Sequence, residues 1–405
     1  MGRNGVTINK LNGGLGRKAA SDDGVCLLVI GSAVAATSLA LKTAKELLSL
    51  ADAEALGITP SYDDTNSILA HHHVDEFFRV NPNGNLFVIL DDGSLTDAEL
   101  KTALKANPTI TNLGVVRNDA VAPVDMQVLA SKYQTIVDDL RLESRDISSV
   151  LIEGGVFDNA TLLSAYPDTR TYNSPNVSIV IGQDPIIRNL KAAYTNYAAI
   201  GTALGGISVR KVNENLGSLD IERKPNTARG LTVYSLTDAV RKRFVTAFLQ
   251  DGKDAGTLTQ TEYQTLDDRG YIYITNYNGY AGYFFSDSHT CVERSSDYSR
   301  IENNRVWDKA ASLARIALLP RVKSNLLKDP ETGFIREIEA KELEVLAENA
   351  LDVMVSSEEI SGKSIYINPE QNLSDGTPLN VKGQVVFNDI IHEMSFDLGL
   401  TSKLQ

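Results

Sequence analysis

The chain has 405 residues, 42% of them hydrophobic, with 39 Lys and Arg against 52 Asp and Glu for a net charge of −13. That length supports two or three packed domains, the apolar fraction excludes a disordered protein, and the acidic balance excludes a broad nucleic-acid surface. Two cysteines are too few for a disulfide framework and suit a reducing cytoplasm; no apolar leader stands near Met1, and no stretch reaches the roughly 20 apolar residues of a membrane span.

From the start of the chain, Gly5–Leu11 alternates Val6 and Ile8 with Thr7 and Asn9, the period of a short strand, and runs into the glycine-rich LNGGLGRKAASDDG. Gly13, Gly14 and Gly16 are placed there as a hinge, because glycine tolerates backbone angles that other residues avoid. The first buried strand is GVCLLVIGSA (Gly24–Ala33), where Cys26 reads as a core thiol. Leu41, Ala44, Leu48 and Ala51 then fall on one face of an expected helix that Gly57 stops. Ala70, Val74, Phe77 and Phe78 predict a second helix, followed by a turn over Asn81–Asn85 and a strand at Leu86–Leu90.

The alternation continues with strands at Leu113–Asn118, Ser148–Gly155 and Val177–Asp184 and a helix over Asp125–Arg141, which together predict an α/β body with a mostly parallel sheet. The small-residue segment Tyr194–Asn213 carries Gly201, Gly205 and Gly206, which let neighbouring elements approach closely. Beyond it the pattern predicts a loop over Ile221–Gly230, a helix over Leu236–Leu249 and a hairpin over Gly270–His289 turning at Asn278 and Gly279. The last third predicts a helix from Ile301 broken at Pro320, a second over Ile335–Val353, and strands in SIYINP and VKGQVVF. In the final segment, Asp389–Leu400, Met394, Phe396, Leu398 and Leu400 alternate with Ser395, Asp397 and Gly399, as in a half-buried strand. The two terminal strands either close the chain's own sheet or are exported arms that add to a neighbour's.

The groups that draw chemical attention do not assemble into a reacting set. His71, His72 and His73 offer i,i+4 pairs with Asp75 and Glu76, but consecutive residues point in different directions around a helix, so a solvated helix face is the expectation rather than a metal site. GGLGRK (Gly13–Lys18) lacks the spacing of a phosphate loop and reads as a linker. GGVFD (Gly154–Asp158) and GQD (Gly182–Asp184) stand at strand ends, where α/β enzymes hold ligands. No GxSxG elbow is present, no cysteine pairs with an obvious histidine, and His289 and His392 lie in unrelated contexts. No catalytic, cofactor-binding or metal-binding residue is therefore assigned. An enzyme binding a nucleotide or sugar phosphate near Gly154 and Gly182 is the alternative function.

DDGVCLLVIGSA with the segments after it through HVDEFFRVNPNGNLFVIL, and later GYFFSDSH, NNRVWDKAASLARIALLP, the helix near Ile335–Val353 and KGQVVF…MSFDLGL, resemble in order the elements of contractile tail sheath proteins of phages and injection systems. The likeness is greatest to a small, divergent sheath group long labelled a domain of unknown function, whose small-residue segment resembles Ala198–Asn215; the paired-arginine tract of larger sheaths is reduced here to spaced Arg305, Arg315 and Arg321. The resemblance implies a structural, non-enzymatic subunit in a virion or injection-system tail. It implies hexameric rings of the chain stacked helically on an inner tube protein, joined by arms that complete a sheet in a neighbour's C-terminal domain. Baseplate and tail-terminator proteins are the further implied partners, and contraction drives the tube through a target envelope. No cofactor, nucleic acid or membrane insertion is implied. The expected organisation is an N-terminal arm and linker (1–23), an α/β body (24–290), a C-terminal α+β domain (291–388) and a C-terminal arm (389–405). The arm residues are Val6, Ile8, Met394, Phe396, Leu398 and Leu400.

Overall fold

A computed structural model describes residues 22–118, 122–219, 236–373, 377–396 and 398. The chain divides into two compact units, residues 1–305 and 306–405.

The first unit is built on β1 (Cys26–Ile30), a five-residue apolar run buried throughout. It pairs in parallel with β3 (Leu86–Leu90) on one side and β4 (Asn112–Val116) on the other, and β5 (Ser149–Glu153), β6 (Val177–Val180) and the short β9 (Tyr271–Ile272) continue the parallel sheet. A three-residue antiparallel strand, β2 (Lys45–Leu47), closes the other edge, for an order of β2-β3-β1-β4-β5-β6-β9. Both faces must be covered, because alternate residues of each strand point to opposite sides. Cys26, Leu28 and Ile30 join a core with helices α3 (Ala70–Val80) and α7 (Ile200–Val209), whereas Val25, Leu27 and Val29 join one with α4 (Asp97–Ala106) and α5 (Met126–Leu142). The expected α/β body with a mostly parallel sheet is the observed one.

Helix α7 packs against α3 at a distance set by glycine. A Cβ at Gly201 would stand 2.1 Å from the His73 carbonyl oxygen, and one at Gly205 would stand 2.9 Å from that of Phe77. Neither obstacle is a movable side chain. Helix α3 has no N-cap side chain of its own; Asp63 of the preceding helix α2 (Pro60–Asn66) instead accepts hydrogen bonds from the N–H groups of Ala70, His71 and His72 at 2.8 to 3.0 Å.

Of two expected helices, the one before Gly57 forms only over its last turns and the one over Leu236–Leu249 does not form, for tertiary reasons. Residues 37–48 do not form one; Leu47 is fully buried on β2 opposite Leu86, and the helix that does form, α1 (Leu50–Ala55), starts one residue after Ser49, whose hydroxyl accepts from the Asp52 N–H. Leu236–Leu249 is a compact irregular segment ending in β8 (Phe248–Leu249), which pairs with β7 (Gly182–Gln183). Its Asp238 and Arg243 bridge each other, and Lys242 and Phe244 take left-handed backbone angles that place the Phe244 ring in the core. The expected loop Ile221–Gly230 lies outside the described residues. The hairpin is β10 (Ile274–Tyr277) with β11 (Tyr280–Phe285), and Gly279 supplies its positive φ of 79°. Helix α8 (Gln260–Asp268), just before β9, carries a capping box between Thr259 and Glu262.

Helix α9 (Ile301–Leu318) ends in a 3-10 turn holding Pro320, as the proline requires. In the second unit, α10 (Glu337–Ser356) buries Ala340, Leu343, Ala347, Leu351 and Met354, one face of a helix by their spacing. That face packs on an antiparallel two-stranded ribbon, β12 (Gly362–Tyr366) with β13 (Lys382–Val386).

Replacing Gly201 with alanine forces α7 away from the α3 backbone. A loss of about 1–3 kcal/mol is expected, the usual cost of overpacking, and Gly205→Ala, with a longer approach, is expected to lose less. Thermal melts of the two variants against the parent check the order.

Candidate assembly interface

In the ribbon of the second unit, β12 turns Ile365 and Ile367 inward against α10, where both are buried, while Ser364 and Tyr366 face out. Glu344 and Glu348, one turn apart on α10, reach the strand. Glu344 Oε1 accepts from the Ile367 N–H at 2.8 Å, and Glu348 Oε1 accepts from the Ile365 N–H at 3.2 Å. Lys341 donates to the second oxygen of Glu344 at 2.6 Å; this ammonium, then the Ile367 N–H, holds the Glu344 carboxyl below the usual carboxylate range. Lys363 pairs with Asp352 at 2.8 Å and donates to the Glu348 carbonyl.

After β13 the described residues form no helix or strand. Met394, Phe396 and Leu398 are 82%, 82% and 80% exposed, and among the described residues no strand pairs with this segment. Among the described residues, a run patterned to bury every second side chain has nothing to bury it against. Leu400 of the same run lies outside the described residues, as do Val6, Ile8, Gly13, Gly14 and Gly16. Of the three arginines carried over by resemblance, Arg305 is buried and donates to the carbonyl oxygens of Asp23, Arg210 and Lys211, which makes it a tie within the first unit.

The strand ends near Gly154 and Gly182 are filled by the chain itself, whereas a cavity of about 440 Å³ lies at the ends of β1, β3 and β4, lined by Gly31, Asp91 and Arg117 among others. A Cβ at Gly154 would stand 2.5 Å from Gln250 Oε1 and 2.6 Å from Ile181, and one at Gly182 would stand 2.6 Å from Ile274. Gln250 Nε2 donates to the carbonyl oxygens of Gly154 and Asn196, so a side chain occupies the position a phosphate would need. Asp184 is spent on structure: it caps Ile186 and accepts from the Phe244 N–H. Burial pushes its carboxyl, and that of Asp63, up to about 6. Glu153, at the end of β5, accepts from the backbone N–H groups of Arg117 and Ala198 and is likewise raised by burial. It lines a cavity of about 170 Å³ with Leu69, Asn118 and Tyr197.

Two of the three histidines are not on a solvated face; His71 is half-buried and contacts the exposed Glu54. His72 and His73 are buried under α7 and beside Tyr197, and the His73 Nδ1 accepts from the Gly201 N–H at 3.2 Å; burial lowers both imidazoles well below their usual range. The feature hidden from a sequence reading is how closely α7 lies over α3. Glu76, expected to face His72, instead holds a buried ionic centre. It accepts from Arg79 at 2.7 and 2.9 Å, from Arg243 at 2.9 Å and from Thr202 at 3.1 Å. Burial alone would raise its carboxyl, but Arg79 and then Arg243 outweigh that and hold it down. Among the described residues no three His, Cys, Asp or Glu side chains are grouped to hold a metal ion.

The DUF2586 N-terminal domain family matches residues 3–289, and the DUF2586 C-terminal domain family matches residues 297–405. The chain belongs to the DUF2586 family. No curated protein matches it. Among solved structures, this DUF2586 chain superposes over 99% of its length on 99% of a chain in the anti-feeding prophage (AFP) baseplate, with a TM-score of 0.61 at 13% identity. It also superposes over 99% of its length on 98% of a chain in the PVC sheath complex, an extracellular contractile injection system in its contracted state, with a TM-score of 0.59 at 12% identity. A sheath tail protein from Desulfitobacterium hafniense is matched over 95% of this chain and 100% of its own, with a TM-score of 0.52 at 10% identity. The fold of this DUF2586 chain is therefore that of contractile sheath proteins, over both units.

The elevated carboxyl of Asp184 sets a pH dependence. Folding raises its affinity for a proton, so its stabilising contribution is complete below about pH 4, the unfolded value, and is lost as pH rises through about 6. Denaturant titrations at pH 5, 6 and 7 are expected to show the parent losing stability relative to Asp184→Asn as pH rises.

Proposed function

We propose that this chain is the subunit of a contractile sheath. It polymerises helically around an inner tube through strand-exchanging terminal segments, and it contracts to drive that tube through a target envelope. The supporting observation is a fold shared with sheath proteins along nearly the whole chain, together with a strand-patterned C-terminal segment whose Met394, Phe396 and Leu398 are exposed and which pairs with no strand among the described residues. The partners are other copies of the chain in stacked hexameric rings, the tube protein, and baseplate and terminator proteins at the two ends. Its place is the tail of a phage or a tail-like injection system.

The physics favours such a construction. A head-to-tail contact whose rotation does not close generates a helical array, and strand addition is a directional way to make it. Each backbone bond of an added strand contributes about 0.5–1.5 kcal/mol net, and burying a side chain such as Phe396 or Leu398 contributes about 1.5–3 kcal/mol. A few such terms hold subunits together while compact bodies reorient, with connecting segments absorbing the change. The role is structural, not catalytic. The alternative of a nucleotide- or sugar-phosphate-binding enzyme loses its site, since the strand ends near Gly154 and Gly182 are occupied by Gln250, Ile181 and Ile274.

Phe396→Pro tests the reading, because proline removes a backbone donor and an apolar anchor from the added strand. The dispersed subunit is expected to melt at the parent's temperature while tubes or rings vanish from negative-stain micrographs. A lowered melting temperature would place this segment in the subunit's own fold. Deleting Met1–Ser21 is expected to give a soluble, folded protein that forms no long tubes; wholesale aggregation would instead make that segment part of the body.

A further inference from the structure

The cavity of about 440 Å³ at the ends of β1, β3 and β4 owes its place to the topology of the first unit. With β1 between β3 and β4, the connection after β1 runs to the face that α3 and α7 cover, while those after β3 and β4 run to the face that α4 and α5 cover. Diverging connections leave a crevice at the carboxyl ends of neighbouring strands, the position where open α/β sheets hold ligands. Gly31, Asp91 and Arg117 line it from the three strand ends, and Asp125, Val128 and Tyr133 line it from α5 and its N-cap.

We propose that this cavity binds one neutral, polyhydroxylated ring, a sugar residue, through the Tyr133 hydroxyl and the Asp91 carboxylate. Tyr133 is only 6% exposed, and among the described residues nothing hydrogen-bonds its hydroxyl, although a buried phenol ordinarily has a partner. Burial, then the Asp91 charge, raises its pKa, so the hydroxyl keeps its proton and can donate. Asp91 spends one oxygen on its own turn, Oδ1 accepting from the Gly93 and Leu95 N–H groups at 2.8 and 2.9 Å, which leaves Oδ2 to accept from a guest. Asp125 stands at the N-cap of α5 without a capping hydrogen bond from its side chain. Charge decides the class of ligand. Arg117 and Lys132 line the cavity together with Asp91 and Asp125, so an anion meets two carboxylates and a cation meets a guanidinium and an ammonium. Hydroxyl groups both donate and accept without either repulsion. The C–H face of a sugar ring has Val29, Val115 and Leu129 to lie against, and the volume falls within the roughly 300–1,000 Å³ of small-molecule sites.

Saturation-transfer difference NMR on the full chain reads out binding. The neutral probes are glucose, maltose and adenosine, which separate a free sugar from the end of a glycan chain and from the ribose of a nucleoside. Glucose phosphate, protonated glucosamine and adenosine monophosphate are their charged counterparts. Signals are expected from at least one neutral probe, and weaker ones from its counterparts. Tyr133→Phe removes only the hydroxyl; because that group has no protein partner, the variant is expected to melt at the parent's temperature while affinity falls about three- to tenfold, as for one hydrogen bond. Val128→Trp, at a position 71% exposed, is expected to block the cavity and abolish the signal with an unchanged circular dichroism spectrum. No signal from any neutral probe, signals that survive undiminished in both variants, or tighter binding of a charged counterpart would each overturn the proposal.

Discussion

A strand edge is a row of backbone donors and acceptors that something must satisfy, and the organisation of this chain follows from how each of its edges meets that demand. The seven-stranded sheet ends in strands too short to template another. β2 has three residues with Lys45 and Glu46 exposed, and β9 has two. The ribbon in the second unit is different. Two strands alone are marginally stable, and this pair relies on the buried face of α10 and on two glutamates that bond to one edge.

The interior of the first unit is arranged for permanence. Three buried charged groups are each held by several partners: Glu76 by two arginines, Asp63 by three backbone N–H groups at the start of α3, Arg305 by three carbonyl oxygens. Breaking one partner of such a centre leaves a buried charge exposed to a low dielectric, so these contacts resist rearrangement. The ends of β5 and β6 near Gly154 and Gly182, a place where many α/β proteins hold a ligand, are packed with side chains from later in the chain.

The close approach of α3 and α7 explains why the histidine triplet misleads. Three adjacent histidines read as polar, yet two of them are buried because Gly201 and Gly205 let α7 lie directly over α3. The glycines were visible as packing residues, but nothing in the sequence said which helix they would meet. Arg243, from a segment whose pattern suggested a helix, completes the ionic centre from 167 residues away along the chain.

What the sequence determined by itself was whatever depends on neighbouring residues. Continuous apolar runs marked β1, β3 and β4, helical spacing marked α3, α5 and α10, Pro320 ended α9, and period-two alternation marked the C-terminal segment as strand-like. Family resemblance in the order of those elements was likewise legible. Tertiary structure alone decided the rest. It made Leu47 a strand residue because β3 lay beside it, kept Leu236–Leu249 from becoming a helix by docking Phe244 and Arg243 into the core, filled the strand ends near Gly154 and Gly182, and set Glu344 and Glu348 on one edge of the ribbon. The physical reason is that spacing along the chain reports a residue's face and local propensity, whereas the partner that satisfies a buried charge or an open backbone group is supplied by distant segments that only folding brings together.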